Sequence, residues 1–428
     1  MPGFTLPGCE LGVATAATQI EGGAADTTWH RWAAAGRIID GSTPARAADH
    51  WNRVEQDIAL LGELGVRHYR MGLEWARIEP LRGQFDAEGL AHYRDELTRL
   101  RDAGIRPLVT LHHFSEPGWF ADAGGWLAPD AVPTFLRFAE TVVRELGDLV
   151  TDWITVNEPT VYANHAYLWG LWPPGEKSAY LRSFAATQAL VDAHLAAYPM
   201  IHGLYPDAKV GVAHHLRVFQ PRNPRNPAHG GASALSRYLF QDALVEVMAT
   251  GRGRPPLRRP KGVRPGRYYD FHGINYYTRS TVSGLSDGMA TNVPVNDLGW
   301  EVYPRGIVEL AQWVHDRWPA PIWITENGTA DAADAFRSRY TYEHLAQIAA
   351  SGLPIERYYH WCFTDNFEWA EGEAARFGLV HLDYETQVRT VRESGRFYAD
   401  IIANHGVTEA AYERWVAGQE YPMNGEGN

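Results

Sequence analysis

A helix that ends in glycine and is followed by a short apolar strand recurs along this chain, and this unit constrains the fold most. It occurs at Leu64-Gly65-Val66, Ala103-Gly104-Ile105 and Ser351-Gly352-Leu353. Glycine accepts the left-handed backbone that ends a helix before the chain reverses into a strand. Because each helix carries the chain back before the next strand begins, alternation of this kind predicts a parallel sheet.

Hydrophobic periodicity predicts eight strands separated by helices. The predicted strands are residues 11–20, 66–75, 105–111, 153–158, 209–214, 271–277, 322–325 and 355–363. The predicted helices are residues 51–64, 87–103, 131–146, 183–202, 234–249, 306–318, 342–350 and 391–403. Eight such units favour an α/β fold that closes into one (β/α)8 TIM barrel over an open doubly wound sheet, with an active site at the C-terminal ends of the strands.

The chain shows no break in composition, so a single domain over residues 1–428 is predicted. Two stretches without periodicity, residues 220–231 and 283–300, are predicted as loops beside the barrel mouth. The one basic run, residues 252–267, is rich in Pro and Gly and is predicted to be a solvated surface loop.

Composition and charge exclude several classes of protein. A formal net charge of -12 offers no basic field for nucleic acid or an anionic membrane surface. No apolar run of 18 residues is present, and the N-terminus lacks the basic and apolar segments of a signal peptide. The two cysteines, Cys9 and Cys362, form no CxxC motif. We therefore expect a cytoplasmic protein.

No cofactor or metal is expected. No GxGxxG or P-loop pattern opens a helix, so the usual nucleotide signatures are missing. His112 and His113 are the one candidate metal pair, but adjacent residues on a strand point to opposite faces. One of the two is therefore predicted to be structural.

Two predicted strands deliver a carboxylate at their ends. Glu158 ends the fourth strand and Glu326 follows the seventh, and each has an asparagine neighbour. Strands four and seven lie on opposite sides of an eight-stranded barrel, so the two carboxyl groups can meet across its mouth. Such a pair carries out acid/base and nucleophilic chemistry. When such a pair cleaves a glycosidic bond, a distance of about 5–5.5 Å between the carboxyl groups gives retention of the anomeric configuration. A distance of about 6.5–9.5 Å gives inversion.

Further polar and aromatic side chains are predicted at the same ends of the strands. They are Gln19, Arg70, Glu74, His113, Asn157, Asn275, Tyr277, Trp361, Glu368 and Trp369. Amides and carboxylates bind hydroxyl groups, and aromatic faces stack on sugar rings. The 16 Trp and 21 Tyr also mildly favour a carbohydrate site.

Six motifs together resemble the signatures of glycoside hydrolase family 1, the β-glucosidase-like enzymes. They are Thr155-Val156-Asn157-Glu158-Pro159, Ile324-Thr325-Glu326-Asn327-Gly328, Asp365-Asn366-Phe367-Glu368-Trp369-Ala370-Glu371-Gly372, Gln19-Ile20-Glu21-Gly22, Gly273-Ile274-Asn275-Tyr276-Tyr277 and Arg376-Phe377-Gly378-Leu379. They cover nearly the whole chain in the right order. The resemblance implies a (β/α)8 barrel and a retaining mechanism, with Glu326 as nucleophile and Glu158 as acid/base.

The resemblance also implies roles for the surrounding residues. Asn157 would hold the sugar 2-hydroxyl, Arg70 and Tyr277 would orient Glu326, and Asn275 would support the site. The residues expected to bind the non-reducing-end sugar are Gln19, His113, Trp361, Glu368 and Trp369. An acid at Glu158, where thioglucosidases of the family carry Gln, implies an O-glycosidase. Glu368 would repel a 6-phosphate, which implies a non-phosphorylated sugar.

The predicted function is a retaining exo-β-glycosidase, a β-glucosidase with some β-galactosidase or β-fucosidase activity. Two alternatives stay open at this point. One is a biosynthetic enzyme that transfers glycosyl groups to an acceptor. The other is a non-catalytic carbohydrate-binding barrel, which the presence of both Glu158 and Glu326 disfavours. His112 and Phe114 beside His113, and Glu373, depart from the family pattern and bear on the aglycone.

Overall fold

The computed structural model describes residues 2–284 and 286–425. Eight parallel strands pair in chain order, and the eighth pairs with the first to close a barrel. The strands are β1 Glu10–Ala14, β2 His68–Gly72, β3 Arg106–Thr110, β4 Asp152–Asn157, β5 Lys209–His215, β6 His272–Asn275, β7 Ile322–Asn327 and β8 Ile355–Trp361. The predicted (β/α)8 barrel is therefore confirmed.

A helix layer surrounds the strands. The helices between successive strands, and the one after β8, are α1 His50–Glu63, α2 Ala87–Asp102, α3 Ala131–Leu146, α4 Tyr180–Leu204, α5 Ala243–Thr250, α6 Gly306–His315, α7 Arg337–Ser351 and α8 Glu393–Asn404. Shorter helices are Ala17–Ile20, Thr28–Ala34, Trp75–Ile78, Gly118–Asp122, Gly125–Leu127, Pro159–Tyr167, Pro227–Arg237, Trp369–Glu371 and Glu409–Trp415, with a π-helical turn at Tyr238–Asp242.

The core lies between the barrel and its helices. Every residue of β4 and of β7 is buried, as expected of parallel strands covered on both faces. The helices bury apolar side chains along one stripe, as α3 does with Phe135, Phe138 and Val142. Burial of one such side chain contributes about 1.5–3 kcal/mol to the free energy of folding. The strand ends are therefore held on a rigid frame.

Several predicted boundaries were wrong at the C-terminal ends of strands. The first strand ends at Ala14 and the chain continues into the helix Ala17–Ile20. The second ends at Gly72 and is followed by the helix Trp75–Ile78. Residues 234–249 are also not one regular helix, because the π-helical turn Tyr238–Asp242 precedes α5. Apolar side chains continue across these breaks, so periodicity alone did not mark them.

The predicted loops at residues 220–231 and 283–300 were wrong in part. Strand Val218–Pro221 pairs with Arg279–Ser283, which pairs in turn with Ser286–Gly288. The first region also holds the start of the helix Pro227–Arg237. These strands are stabilised by pairing between segments that are distant in the chain, and the local sequence is a weak predictor of such pairing. Leu285, in the second region, lies outside the described residues.

The basic run 252–267 is confirmed as a surface loop without helix or extended strand, and most of its side chains are exposed. Across residues 2–284 and 286–425, no helix is both long and apolar enough to cross a membrane.

Candidate active site

A cavity of about 380 Å³ opens at the C-terminal ends of the barrel strands. Glu158, at the end of β4, and Glu326, within β7, both line it. The strand register is irregular at both places, between Ile154 and Asn157 and between Ile324 and Glu326. Such irregularities re-aim side chains at barrel rims, and here they bring the two predicted carboxylates into one pocket.

Glu326 is held by two donors. The fully buried Arg70 donates to Oε1, and the Tyr277 hydroxyl donates to Oε2 over 2.6 Å. Arg70 is fixed in turn by the Thr325 carbonyl at 3.1 Å and by Asn157 Oδ1 at 2.7 Å. Both oxygens of Glu326 therefore accept hydrogen bonds in a geometry that favours the ionised carboxylate.

Glu158 is placed by an unusual backbone. It has φ +42° and caps the helix Pro159–Tyr167, whose first residue is proline. A left-handed conformation is uncommon for glutamate and occurs at functional sites. Its Oε1 accepts from Asn275 Nδ2 at 2.7 Å and from His215 Nδ1 at 3.3 Å.

The two carboxyl groups titrate as a pair. Burial raises the pKa of Glu326 to about 7, with Arg70 opposing and an ionised Glu158 adding to the rise. Burial also raises the pKa of Glu158, but the charge and hydrogen bond of His215, the hydrogen bond of Asn275 and the charge of Arg70 together bring that pKa below its usual range. Burial lowers the pKa of His215 itself, and its Nε2 accepts from Arg217. With Nε2 accepting from Arg217, His215 is neutral, which withdraws the charge that lowers the pKa of Glu158 most, whereas Arg70 stays beside Glu326.

Glu368, which lines the cavity, belongs to a buried hydrogen-bonded group around Gln19. Gln19 Nε2 donates to Asn366 Oδ1, the Phe367 carbonyl and Glu368 Oε2 over 2.9–3.1 Å. Gln19 Oε1 is buried without a partner among the described residues, so one acceptor remains for a ligand hydroxyl. Burial and the nearby Glu326 raise the pKa of Glu368 to about 8.

Aromatic rings form one side of the cavity. His113 stacks on Trp369 at 5.7 Å and lies 5.8 Å from Trp361. Burial and the charge of Arg70 hold the pKa of His113 well below its usual range, so the ring is neutral. Its Nε2 lies 3.1 Å from Asn157 Nδ2.

The predicted residues separate into two groups. Those that line the cavity are Glu158, Glu326, His113, Tyr277, Trp361, Glu368 and Trp369. Those that lie behind it and hydrogen-bond to the lining are Gln19, Arg70, Asn157 and Asn275.

Two other strand-end side chains do not reach the cavity. Glu74 accepts from Thr18 and Ser115 beneath the mouth, so its expected place there was wrong. His112 faces away and contacts Glu116 at 2.9 Å, as expected of the structural member of the pair.

Sequence reasoning missed several lining residues. They include Ile39, His165, Trp169, Leu171, Trp172, His215, Arg217 and Trp300. His215 could have been predicted, because it is a polar residue at the end of β5, just as Glu158 directly follows β4. His165 lies on the helix Pro159–Tyr167, and the others lie in connecting segments, where no local pattern indicates which side chains turn inward.

No other described region competes with this site. A larger groove, of about 1130 Å³, lies at the opposite end of the barrel and contains none of the predicted residues. Among the residues that the structure describes, no three His, Cys, Asp or Glu side chains group as a metal site would.

A parallel barrel whose mouth holds two carboxyl groups, amides and tryptophans is the architecture of a glycoside hydrolase. The profile of glycosyl hydrolase family 1 matches residues 8–259 and 266–407, and the chain belongs to that family. It is a β-glucosidase-like enzyme.

Individual relatives agree. Beta-glucosidase A of Thermotoga maritima is 32% identical over 93% of this chain and 97% of its own length. The solved structure of a beta-glucosidase from Thermotoga maritima with glucoimidazole superposes with a TM-score of 0.87, at 31% identity over 95% of this chain and 100% of that one. A chloroplastic galactolipid galactosyltransferase of Arabidopsis thaliana is 32% identical over 84% of this chain and 58% of its own.

Proposed function

We propose that this protein is a retaining exo-β-glycosidase that hydrolyses the β-O-glycosidic bond of a non-phosphorylated β-glucoside. The observation that carries the proposal is that the two carboxyl groups accept hydrogen bonds from different kinds of donor. Glu326 accepts from Arg70 and Tyr277, whereas Glu158 faces only neutral donors, Asn275 and His215. Such a difference separates a charged nucleophile from a protonated acid.

In the first step, Glu326 attacks the anomeric carbon and forms a glycosyl ester. The bond from that carbon to the aglycone oxygen breaks, and Glu158 gives that oxygen its proton. In the second step, Glu158 takes a proton from water, whose oxygen attacks the anomeric carbon and releases Glu326. Two inversions return the β configuration.

The remaining residues are assigned to sugar recognition. We assign Glu368, with Gln19 behind it, to the hydroxyls farthest from the aglycone, and Asn157 to the 2-hydroxyl. Trp361, Trp369 and His113 provide the apolar wall. The buried group around Gln19 favours a terminal sugar, and Glu368, itself an acid, supplies no positive charge for a phosphate.

The test is proton NMR of the first product released from an aryl β-glucoside. The β-anomer should form first and then mutarotate. Glu326→Ala should reduce turnover by on the order of 10⁴-fold, since removing a nucleophile removes the covalent route. An α-anomer in the first spectra would contradict retention, and turnover by the unmodified protein excludes a non-catalytic barrel.

Transfer to an acceptor other than water is the second candidate. Ile39, Trp169 and Leu171 line the cavity and are 73%, 42% and 52% exposed, which provides an apolar rim for an acceptor. The galactosyltransferase among the relatives acts by name on a galactolipid. Product analysis with and without a long-chain alcohol separates the two activities, because transfer yields an alkyl glycoside in place of free sugar.

A further inference from the structure

The two oxygens of Glu158 have different surroundings. Oε1 accepts two hydrogen bonds, from Asn275 Nδ2 at 2.7 Å and from His215 Nδ1 at 3.3 Å. No described residue donates to Oε2, and Glu158 lines the cavity. A carboxylic acid keeps its proton on the oxygen that does not already face donors. The position of the Glu158 proton therefore depends on which atoms of Asn275 and His215 face Oε1.

The orientation of Asn275 is set by a chain of donors that begins at Arg70. Arg70 can only donate, and its terminal nitrogen lies 2.7 Å from Asn157 Oδ1. That same oxygen lies 3.0 Å from Asn275, which must therefore present its NH₂ group. Thr325 donates to the opposite side, Asn275 Oδ1, at 2.6 Å. Asn275 accordingly points an N–H at Glu158.

The orientation of His215 is set by a second chain, which begins at Arg217. Arg217 Nε lies 2.9 Å from His215 Nε2, and a guanidinium only donates. Nε2 must therefore be the unprotonated nitrogen, and the ring proton lies on Nδ1, which faces Glu158. The ring is kept in place by stacking on Tyr277 at 5.8 Å and by the edge contact with Phe240 at 5.9 Å.

We propose that Arg217 and His215 form a positioning pair that confines the transferable proton of Glu158 to Oε2, the oxygen open to the glycosidic bond. Arg217 selects the tautomer of His215, and His215 joins Asn275 in occupying Oε1. The pair also keeps the imidazole neutral, because a second ring proton would oppose the Arg217 N–H. This inference rests on the proposed role of Glu158 as acid/base.

Five ionisable groups act on His215 from the surrounding elements. Glu158 faces it from the end of β4, and Tyr277 lies beyond β6. His165, on the helix Pro159–Tyr167, acts from a buried position. Arg217 bonds it directly, and Asp287 acts through Arg217. Burial lowers the pKa of Arg217, and the charges of Asp287 and Glu158 oppose that effect.

The kinetic test compares two substrates that differ in their need for an acid. Dinitrophenyl glucoside has a leaving group that departs unprotonated, whereas octyl glucoside needs its proton. His215→Leu should lower kcat/KM for octyl glucoside about tenfold, part of the 10²–10⁴ that a general acid contributes, and change the dinitrophenyl value less than about threefold. His215→Asn keeps an N–H near the Nδ1 position and should restore the octyl value to within about threefold.

Controls separate this inference from the proposed function. His229→Leu makes the same change at a histidine outside the cavity and should leave both substrates unaffected. Glu158→Gln should show the same split between substrates, but larger. If Glu158→Gln lowered kcat/KM equally for both substrates, the acid role itself would be contradicted. If Glu158→Gln affected octyl glucoside more but His215→Leu affected both substrates equally, only the positioning pair would be overturned.

The tautomer is tested directly on the unmodified protein. In ¹⁵N-histidine-labelled enzyme, His215, assigned by its loss in His215→Asn, should show a protonated Nδ1 and an unprotonated Nε2 from about pH 5 to pH 8. In Arg217→Met, Nε2 should take up a proton within that range. An Nε2-protonated ring in the unmodified enzyme would overturn the inference.

Discussion

At the scale of single residues, the charge on Glu326 depends on two donors that compete with burial. Burial raises its pKa, and Arg70 and the Tyr277 hydroxyl lower it. Arg70 also fixes Asn157, so one guanidinium joins Glu326 to the amide beside Glu158. A change at either donor should therefore appear in the pH dependence and not only in the rate.

Tyr277→Phe removes the hydroxyl that donates to Glu326 over 2.6 Å. Because a hydrogen bond to the ionised form lowers a pKa, its loss should raise the pKa of Glu326 and move the acidic limb of kcat/KM to higher pH. A hydrogen bond to a charged group contributes about 1.5 kcal/mol or more, so kcat/KM should fall about tenfold.

Tyr398→Phe is the matched control, since it removes another buried hydroxyl, which donates to the Gly12 carbonyl at 2.6 Å far from the cavity. It should cost stability and leave the pH profile in place. An unmoved acidic limb in Tyr277→Phe would mean that the hydroxyl does not act on the charge of Glu326.

At the scale of elements, the pairing of β7 with β8 positions Glu326. The two strands are paired, with a register irregularity next to Glu326. The carbonyl of Trp361, the last residue of β8, lies where a Cβ on Gly328 would stand. Gly328 is therefore glycine because β8 approaches its backbone closely.

Gly328→Ala should destabilise the protein by about 1–3 kcal/mol, the usual effect of overpacking, because the new methyl would meet the Trp361 carbonyl oxygen at 1.7 Å. Gly230→Ala is the control, in the helix Pro227–Arg237, where an added Cβ meets nothing within 4 Å. It should be neutral or stabilise by up to about 1 kcal/mol. Urea unfolding measures both, and equal midpoints for the two variants would contradict the close approach.

At the scale of the whole molecule, a buried ionic group ties the chain beyond β8 to the first barrel helix. Arg389 donates to Asp57 on α1 at 2.9 Å, and His50 contacts Asp57 at 2.8 Å and Glu96 on α2 at 3.0 Å. Burial lowers the pKa of His50, but the charges and hydrogen bonds of Glu96 and Asp57 outweigh it and raise that pKa to about 10. The closed barrel therefore holds a buried imidazolium.

The stability that His50 contributes should depend on pH with a definite sign. Its folded pKa of about 10 lies above the usual value of 6.5, so the contribution is complete below about pH 6.5 and is lost as pH rises through about 10. The Tm difference between the unmodified protein and His50→Gln should therefore be largest near pH 6 and shrink toward pH 10. His229→Gln, outside this cluster, should show a small difference without that trend, and a constant difference for His50→Gln would contradict a charged imidazole.

Much of the fold and of the site follows from local sequence. A helix stripe or an apolar strand is recorded in neighbouring residues, so the eight alternating units could be predicted from periodicity. Glu158 and Glu326 were found because each comes directly after an apolar strand. By contrast, the pairing of Val218–Pro221 with Arg279–Ser283 joins segments about 60 residues apart, and no local pattern marks it.

The sequence by itself determined which chemical groups stand at the strand ends and the family to which they belong. Only the tertiary structure decided how those groups act on each other. Arg70 reaches Glu326 across 256 positions of the chain, and Arg217 sets the tautomer of a histidine that then faces Glu158. The physical reason is that charge and hydrogen-bond direction depend on distances of about 3 Å, which exist only once the barrel has closed.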